Sequence, residues 1–259
     1  MKNTIITFII GYIVLTYYFN GIALTSSNQL ITLFLVMLFF PIAFIVAKLS
    51  SVNGWKGLGV RFHKGWHVNL MIGFSIGFVF WVLLYYLLVL TNVIHITSLK
   101  EPSFILLLVG EVFLTFFLGS FINDIIVRGY VFGTLQGKFK IKWVFLISVL
   151  LYALDDIWYA GFSFHNTVFS IILGLSLTYA FYKTGSIWAN TGIHWGLNVC
   201  YGLVYGSVGK PNGGIFLMTE DATSIWSDII PLLIPASMFL FVFIFYNFYR
   251  VKKDDNPYL

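Results

Sequence analysis

The chain has 259 residues, of which 59% are hydrophobic, 20% aromatic and only 10% charged, and it carries a formal charge of +5. Together with a mean hydropathy of +0.90, this excludes an ordinary soluble domain, because so few charged groups cannot cover the surface of a chain this long. The basic residues lie scattered at the ends of apolar stretches rather than on one soluble face, so anionic lipid headgroups are the expected counter-charge and no nucleic-acid partner is expected.

Crossing a hydrocarbon core of about 30 Å takes roughly 20 apolar residues in a helix. Eight stretches meet that requirement, at 4–24, 29–49, 68–93, 103–135, 141–160, 165–182, 186–207 and 227–249. The sequence therefore predicts an all-α fold: a polytopic membrane helix bundle of about eight transmembrane helices, forming one integral-membrane domain over 1–259. Lipid offers no partner for an open sheet edge, and strand-like alternation is absent. The first stretch follows Lys2 as a signal peptide would, but its apolar run is long and no small-residue cleavage site stands out around Ala23 to Ser27. It is read as a retained helix.

After the second stretch, SSVNGWKGLGVRFHKGWHVN mixes aromatic and basic residues with glycine, the makeup of a segment lying at the headgroup layer. His63 and His67 are four apart there and are read as interfacial, since no third ligand accompanies them. Further along, Trp143, Trp158 and Trp188 fall near helix ends as interfacial anchors. Ser170, Gly174 and Thr178 form a small-residue packing stripe on the sixth span, as do Gly192 and Gly196 on the seventh. The single cysteine, Cys200, reads as a packing residue that can build neither a disulfide framework nor a thiolate metal cluster. The connector from Ser207 to Ser227, with Lys210, Glu220 and Asp221, reads as solvated.

Orientation follows from the basic residues. Lys2, Lys48, Lys56, Arg61, Lys64, Lys138, Lys140, Lys142, Lys183, Arg250, Lys252 and Lys253 all fall on one side of the predicted spans, with Lys100 and Lys210 opposite. The positive-inside rule then places both termini in the cytoplasm.

The remaining polar residues sit inside apolar spans, where each ionisable group is costly and marks a functional site by default. Counting from the cytoplasmic charges at ~1.5 Å per residue puts Asn123, Asp156, His194 and Asn198 at similar depths of roughly 16 to 22 Å. Asp124 and Arg128 are four apart and share a face, as an internal ion pair would. His194 and Asn198 share the same spacing. Adjacent carboxylates at Asp155 and Asp156 cannot both ionise cheaply in a low dielectric; one reading keeps one of them protonated, another makes the pair a cap at the outer interface. Glu111 reads as a lone buried acid with no assigned role.

These residues carry a resemblance. NDIIVRGYVFGTL resembles the EExxxR segment of the CPBP family, the CAAX protease and bacteriocin-processing (Abi) group of intramembrane endopeptidases. YALDD stands where that family has FxxxH, and HWGLN matches its HxxxN motif. The likeness spans approximately 103–205. It implies a helix bundle enclosing a hydrophilic cavity in a cell membrane, bacterial by resemblance, where a glutamate activates water against a peptide bond. By that resemblance Asn123 stands at the base position, Asp156 at the assisting histidine, and His194 with Asn198 at the oxyanion site. Asn123 departs decisively, because a carboxamide has no useful basicity near neutral pH. Asp156 is the expected substitute base, raised in pKa by desolvation.

The expected activity is peptide hydrolysis of a membrane-associated peptide or membrane-protein substrate, by a hydrolase needing no cofactor. A divalent metal held by Asp124, Asp156, His194 and Asn198 is the less favoured mechanism. The alternative class is an inactive member that binds a peptide or partner in the same cavity, as bacteriocin immunity or a scaffold would require. A transporter is disfavoured because no inverted repeat is visible.

Overall fold

The computed structural model describes residues 2–24, 28–155, 158, 162–207 and 209–248. Helix α1 (Lys2–Thr16) runs into a π-helical segment (Tyr17–Ala23), followed by α2 (Gln29–Leu49), the single turn α3 (Gly54–Gly57) and α4 (Trp66–Leu90). Strand β1 (Ile94–Leu99) leads to α5 (Pro102–Asp124), a second π-helical segment (Ile125–Tyr130) and the short α6 (Val131–Leu135). Then come α7 (Ile141–Asp155), α8 (Phe164–Thr184), α9 (Ile187–Tyr205), strand β2 (Phe216–Glu220) and α10 (Trp226–Phe248). Local chemistry sets several of these ends. The Asn28 side chain accepts from the amides of Leu30 and Ile31 to start α2, Ser163 accepts from Asn166 N to start α8, and Gly185 at φ 66° ends α8.

Among the described residues, six helical stretches are long and apolar enough to cross a membrane: Thr4–Ala23, Leu30–Leu49, Trp66–Leu90, Pro102–Leu135, Phe164–Thr184 and Trp226–Phe248. The chain is a multi-pass membrane protein. Helix α7, with 15 described residues, and α9 lie outside that set. Helix α9 is the polar one, with Asn190, Thr191, His194 and Asn198 on it, and also the most enclosed: Asn190 and Thr191 have no exposure at all. A helix that lipid does not solvate has to be solvated by protein.

The glycines explain how α9 is enclosed. A Cβ on Gly192 would collide with the Leu70 carbonyl oxygen and one on Gly196 with that of Phe74, both on α4. Reciprocally, a Cβ on Gly73 or Gly77 of α4 would collide with the carbonyls of Ala189 and Ile193 on α9. Two Gly-xxx-Gly faces thus let the backbones of α4 and α9 touch, the interface expected for Gly192 and Gly196 with its partner face now identified. On the other flank, Gly174 of α8 faces Tyr152 and Val149 of α7, and Ser148 lies 3.4 Å from Thr178, so the sixth-span stripe is packing surface as expected.

Buried apolar residues form two main cores. One gathers α1, α2, the π-helical segment after α5, α6 and the start of α9 around Leu15, Phe39, Tyr130 and Phe132. The other gathers α4, α8, α9 and α10 around Trp81, Leu177, Ile193 and Met238. Tyr152 packs against both, and the polar cluster lies along that seam.

The all-α membrane bundle is as expected, with one small sheet added to it and individual residues placed differently. The fold is not purely helical: β1 and β2 pair antiparallel, from Ile94 opposite Glu220 to Leu99 opposite Phe216, with a register irregularity between Ile96 and Ser98. The Ser207–Ser227 connector carries β2, with Met218 3% exposed and Lys210, Glu220 and Asp221 exposed as in the solvated reading. The segment after α2 also packs into the bundle: Leu58 is fully buried and Phe62 exposed, and Gly59 accepts through its carbonyl from Ile187 N. Trp188 is no lipid-facing anchor; it is 4% exposed and donates Nε1–H to the Arg61 carbonyl at 2.8 Å, while Trp143 and Trp158 are exposed as anchors should be. Glu111 is exposed rather than buried and accepts from the Ser207 hydroxyl.

Candidate active site

Helix α5 and its π-helical continuation carry the first half of the site. Asp124 and Arg128 have no exposure and pair at 2.9 Å between Oδ1 and Nη1, the ion pair their spacing predicts. Burial alone would make each charge expensive, so the pair must be held from several sides. Thr191 of α9 donates its hydroxyl to Asp124 Oδ2 at 2.9 Å. Arg128 donates from Nη1 to Asn123 Oδ1 at 3.3 Å, and its guanidinium carbon lies 4.3 Å from the centre of the Tyr152 ring, a cation–π contact in a dry setting. The π-helical turn widens the helix just where Arg128 must fold back to Asp124. Gly129 lets that turn approach Leu58, whose carbonyl oxygen a Cβ would strike.

The second half comes from α7 and α9. Asn123 donates Nδ2–H to Asp155 Oδ2 at 2.5 Å, and Asn20, on the π-helical segment after α1, donates to Asp155 Oδ1 at 3.1 Å. Each carboxylate oxygen of Asp155 therefore receives an amide hydrogen. Across the site, His194 Nδ1 faces Asp124 Oδ2 at 3.5 Å and its ring meets Tyr152 edge-on at 5.8 Å between centroids. One helical turn further along α9, Asn198 donates to Ser120 of α5 at 3.1 Å.

The structure thus gathers Asn123, Asp124, Arg128 and His194 into one connected group, with Asn198 along the same α5–α9 seam. Asp156 lies outside the described residues. The carboxylate that meets Asn123 is its neighbour Asp155, which is 8% exposed and buried in the bundle, so it is not a cap at an outer interface. Sequence reasoning missed Asn20, Thr191, Ser120 and Tyr152. Only the last carried a cue, as the aromatic opening the YALDD segment. Among the described residues no group of three or more His, Cys, Asp or Glu side chains is placed to hold a metal ion.

Comparison with known families bears on this group directly. Residues 105–200, which carry every site residue named above except Asn20, match the family model described as type II CAAX prenyl endopeptidase Rce1-like. No curated protein and no solved structure matches the chain. The match covers the polar residues of α5, α7 and α9 that meet in the buried cluster, and over that segment the chain is similar to the CAAX-protease-like intramembrane peptidases.

Proposed function

We propose that this protein is an intramembrane peptidase of the CAAX-protease type, acting on a membrane-associated peptide, in which the carboxylate that activates water stands on α7 rather than α5. The observation that carries this reading is the 2.5 Å hydrogen bond from Asn123 to Asp155. The family pattern has an acid at position 123 and a histidine at position 156; here Asn123 and Asp156 occupy those places, and the carboxylate bonded to Asn123 comes from Asp155, one residue earlier. The carboxylate has changed helix without leaving the site.

The chemistry follows from the positions. Asp155 accepts a proton from water as its oxygen attacks the scissile carbonyl carbon. Asn123, fixed on one side by Arg128 and bonded on the other to Asp155, orients that carboxylate. The oxyanion develops against His194 and Asn198, the roles the family resemblance gives them, with Asp124 holding the imidazole from behind. The C–N bond then breaks, and the proton passes from the Asp155 carboxyl to the leaving amine. The prenylated C-terminal peptides named by the matched family are the first substrates to try, and lipid and peptide are the partners in play.

The test is cleavage of a prenylated peptide by protein reconstituted in liposomes, comparing wild type with Asp155→Asn, Asp156→Asn and Asn123→Glu. Asp155→Asn should lower kcat by about 10²–10⁴, and Asp156→Asn should stay within a few-fold of wild type. Loss in Asp156→Asn alone moves the base to that residue. Cleavage by Asn123→Glu alone marks the natural chain as the binding member of its family. A chelator should leave the wild-type rate unchanged.

A further inference from the structure

Among the described residues, Asn20 reaches the site from outside the matched segment and bonds directly to its carboxylate. It lies on the π-helical segment that ends α1, more than eighty residues before residue 105, and it is 8% exposed. Its Nδ2 donates to Asp155 Oδ1 at 3.1 Å in a buried setting. Carboxylates turn readily about their terminal torsion, which is broad rather than staggered. With Asn123 on Oδ2 and Asn20 on Oδ1, that rotation is stopped from two helices at once. The segment around Asn20 is otherwise apolar, YYFNGIA, so an amide there has no role in lipid packing. The π-helical winding is itself a departure from the lower-energy α-helix of the kind found at functional positions.

We infer that Asn20 is a positioning residue for the Asp155 carboxylate, which makes the N-terminal helix part of the catalytic unit. This rests on the peptidase reading above for its kinetic consequence, and on the hydrogen bond alone for its structural one. Tyr12 and Thr16 lie on the same helix below it, with Thr16 8% exposed and the Tyr12 hydroxyl directed to the Leu151 carbonyl at 3.5 Å, so α1 meets the end of α7 along a polar seam.

Asn20→Leu removes the amide while keeping the number and branching of side-chain heavy atoms, Asn20→Asp turns the donor into a repelling acceptor, and Asn20→Gln restores a donor. The expected result is a fall in kcat of about tenfold for Asn20→Leu, the loss typical of one hydrogen bond to a charged group. A larger fall is expected for Asn20→Asp, partial recovery in Asn20→Gln, and KM within twofold throughout. A second readout needs no turnover: the carboxylate stretch assigned to Asp155 by its disappearance in Asp155→Asn should shift in the infrared difference spectrum of Asn20→Leu. An unmoved band with wild-type kcat overturns the inference. A shifted band in a chain that cleaves nothing upholds the contact and overturns the peptidase reading instead.

Discussion

The ion pair between Asp124 and Arg128 decides how each site residue behaves, because it is the charge around which the amides and the imidazole are arranged. Removing one partner leaves the other buried and uncompensated, which costs about 3–5 kcal/mol, whereas replacing both by apolar residues of similar size costs much less. Arg128→Met should therefore lower the unfolding midpoint in detergent sharply, and Asp124→Leu combined with Arg128→Met should recover most of it while leaving no activity. This pair was legible in the sequence, since a spacing of four leaves two side chains of opposite charge on one helical face. Asp155 was not. That Asp155 meets Asn123 depends on the rotational phase at the end of α7, which composition does not reveal. Asn20 left still less trace, being one amide in a long apolar run.

At the level of elements, α9 was readable in its spacing but not in its partner. Gly192 and Gly196 announced a close interface, but the partner glycines at Gly73 and Gly77 could be matched to them only in three dimensions. Because carbonyl oxygens of α4 occupy the space a methyl group would need, Gly192→Ala and Gly196→Ala should each destabilise by about 1–3 kcal/mol and rotate or displace the face that bears His194. Thermal unfolding and cleavage rate, measured on the same preparations, should fall together. Trp188 shows the opposite failure. A tryptophan at a helix end usually anchors at the interface, yet the Arg61 carbonyl supplies an internal acceptor and draws it inward. The strands were invisible for a simpler reason: two short runs more than a hundred residues apart pair only after the helices bring them together.

For the whole molecule, the charge asymmetry makes a topological statement that the contacts do not make by themselves. Lys48, Lys56, Lys138, Lys140 and Lys183 belong to one side by that rule, and the β1–β2 pair with Lys100 and Lys210 to the other. In a Cys200→Ala background, a cysteine at position 138 should react with an impermeant thiol reagent only in inside-out vesicles. One at position 98 or 219 should react only from outside. Reaction of both from the same face would reverse the assignment of the termini to the cytoplasm and the helix count with it. The two apolar cores meet at Tyr152, so the site is held by elements from both halves of the chain rather than by the matched segment alone.

The enclosure of α9 also bears on how the protein comes to exist. A segment carrying Asn190, His194 and Asn198 within 19 residues partitions poorly out of a translocon on its own. The expected route is insertion with α8 as a hairpin against an α4 already in the bilayer, whose glycine face meets that of α9. Synthesis order then becomes assembly order: the ribosome delivers the receiving surface more than a hundred residues ahead of the helix that needs it, and His194 is expected to settle only when its scaffold is waiting.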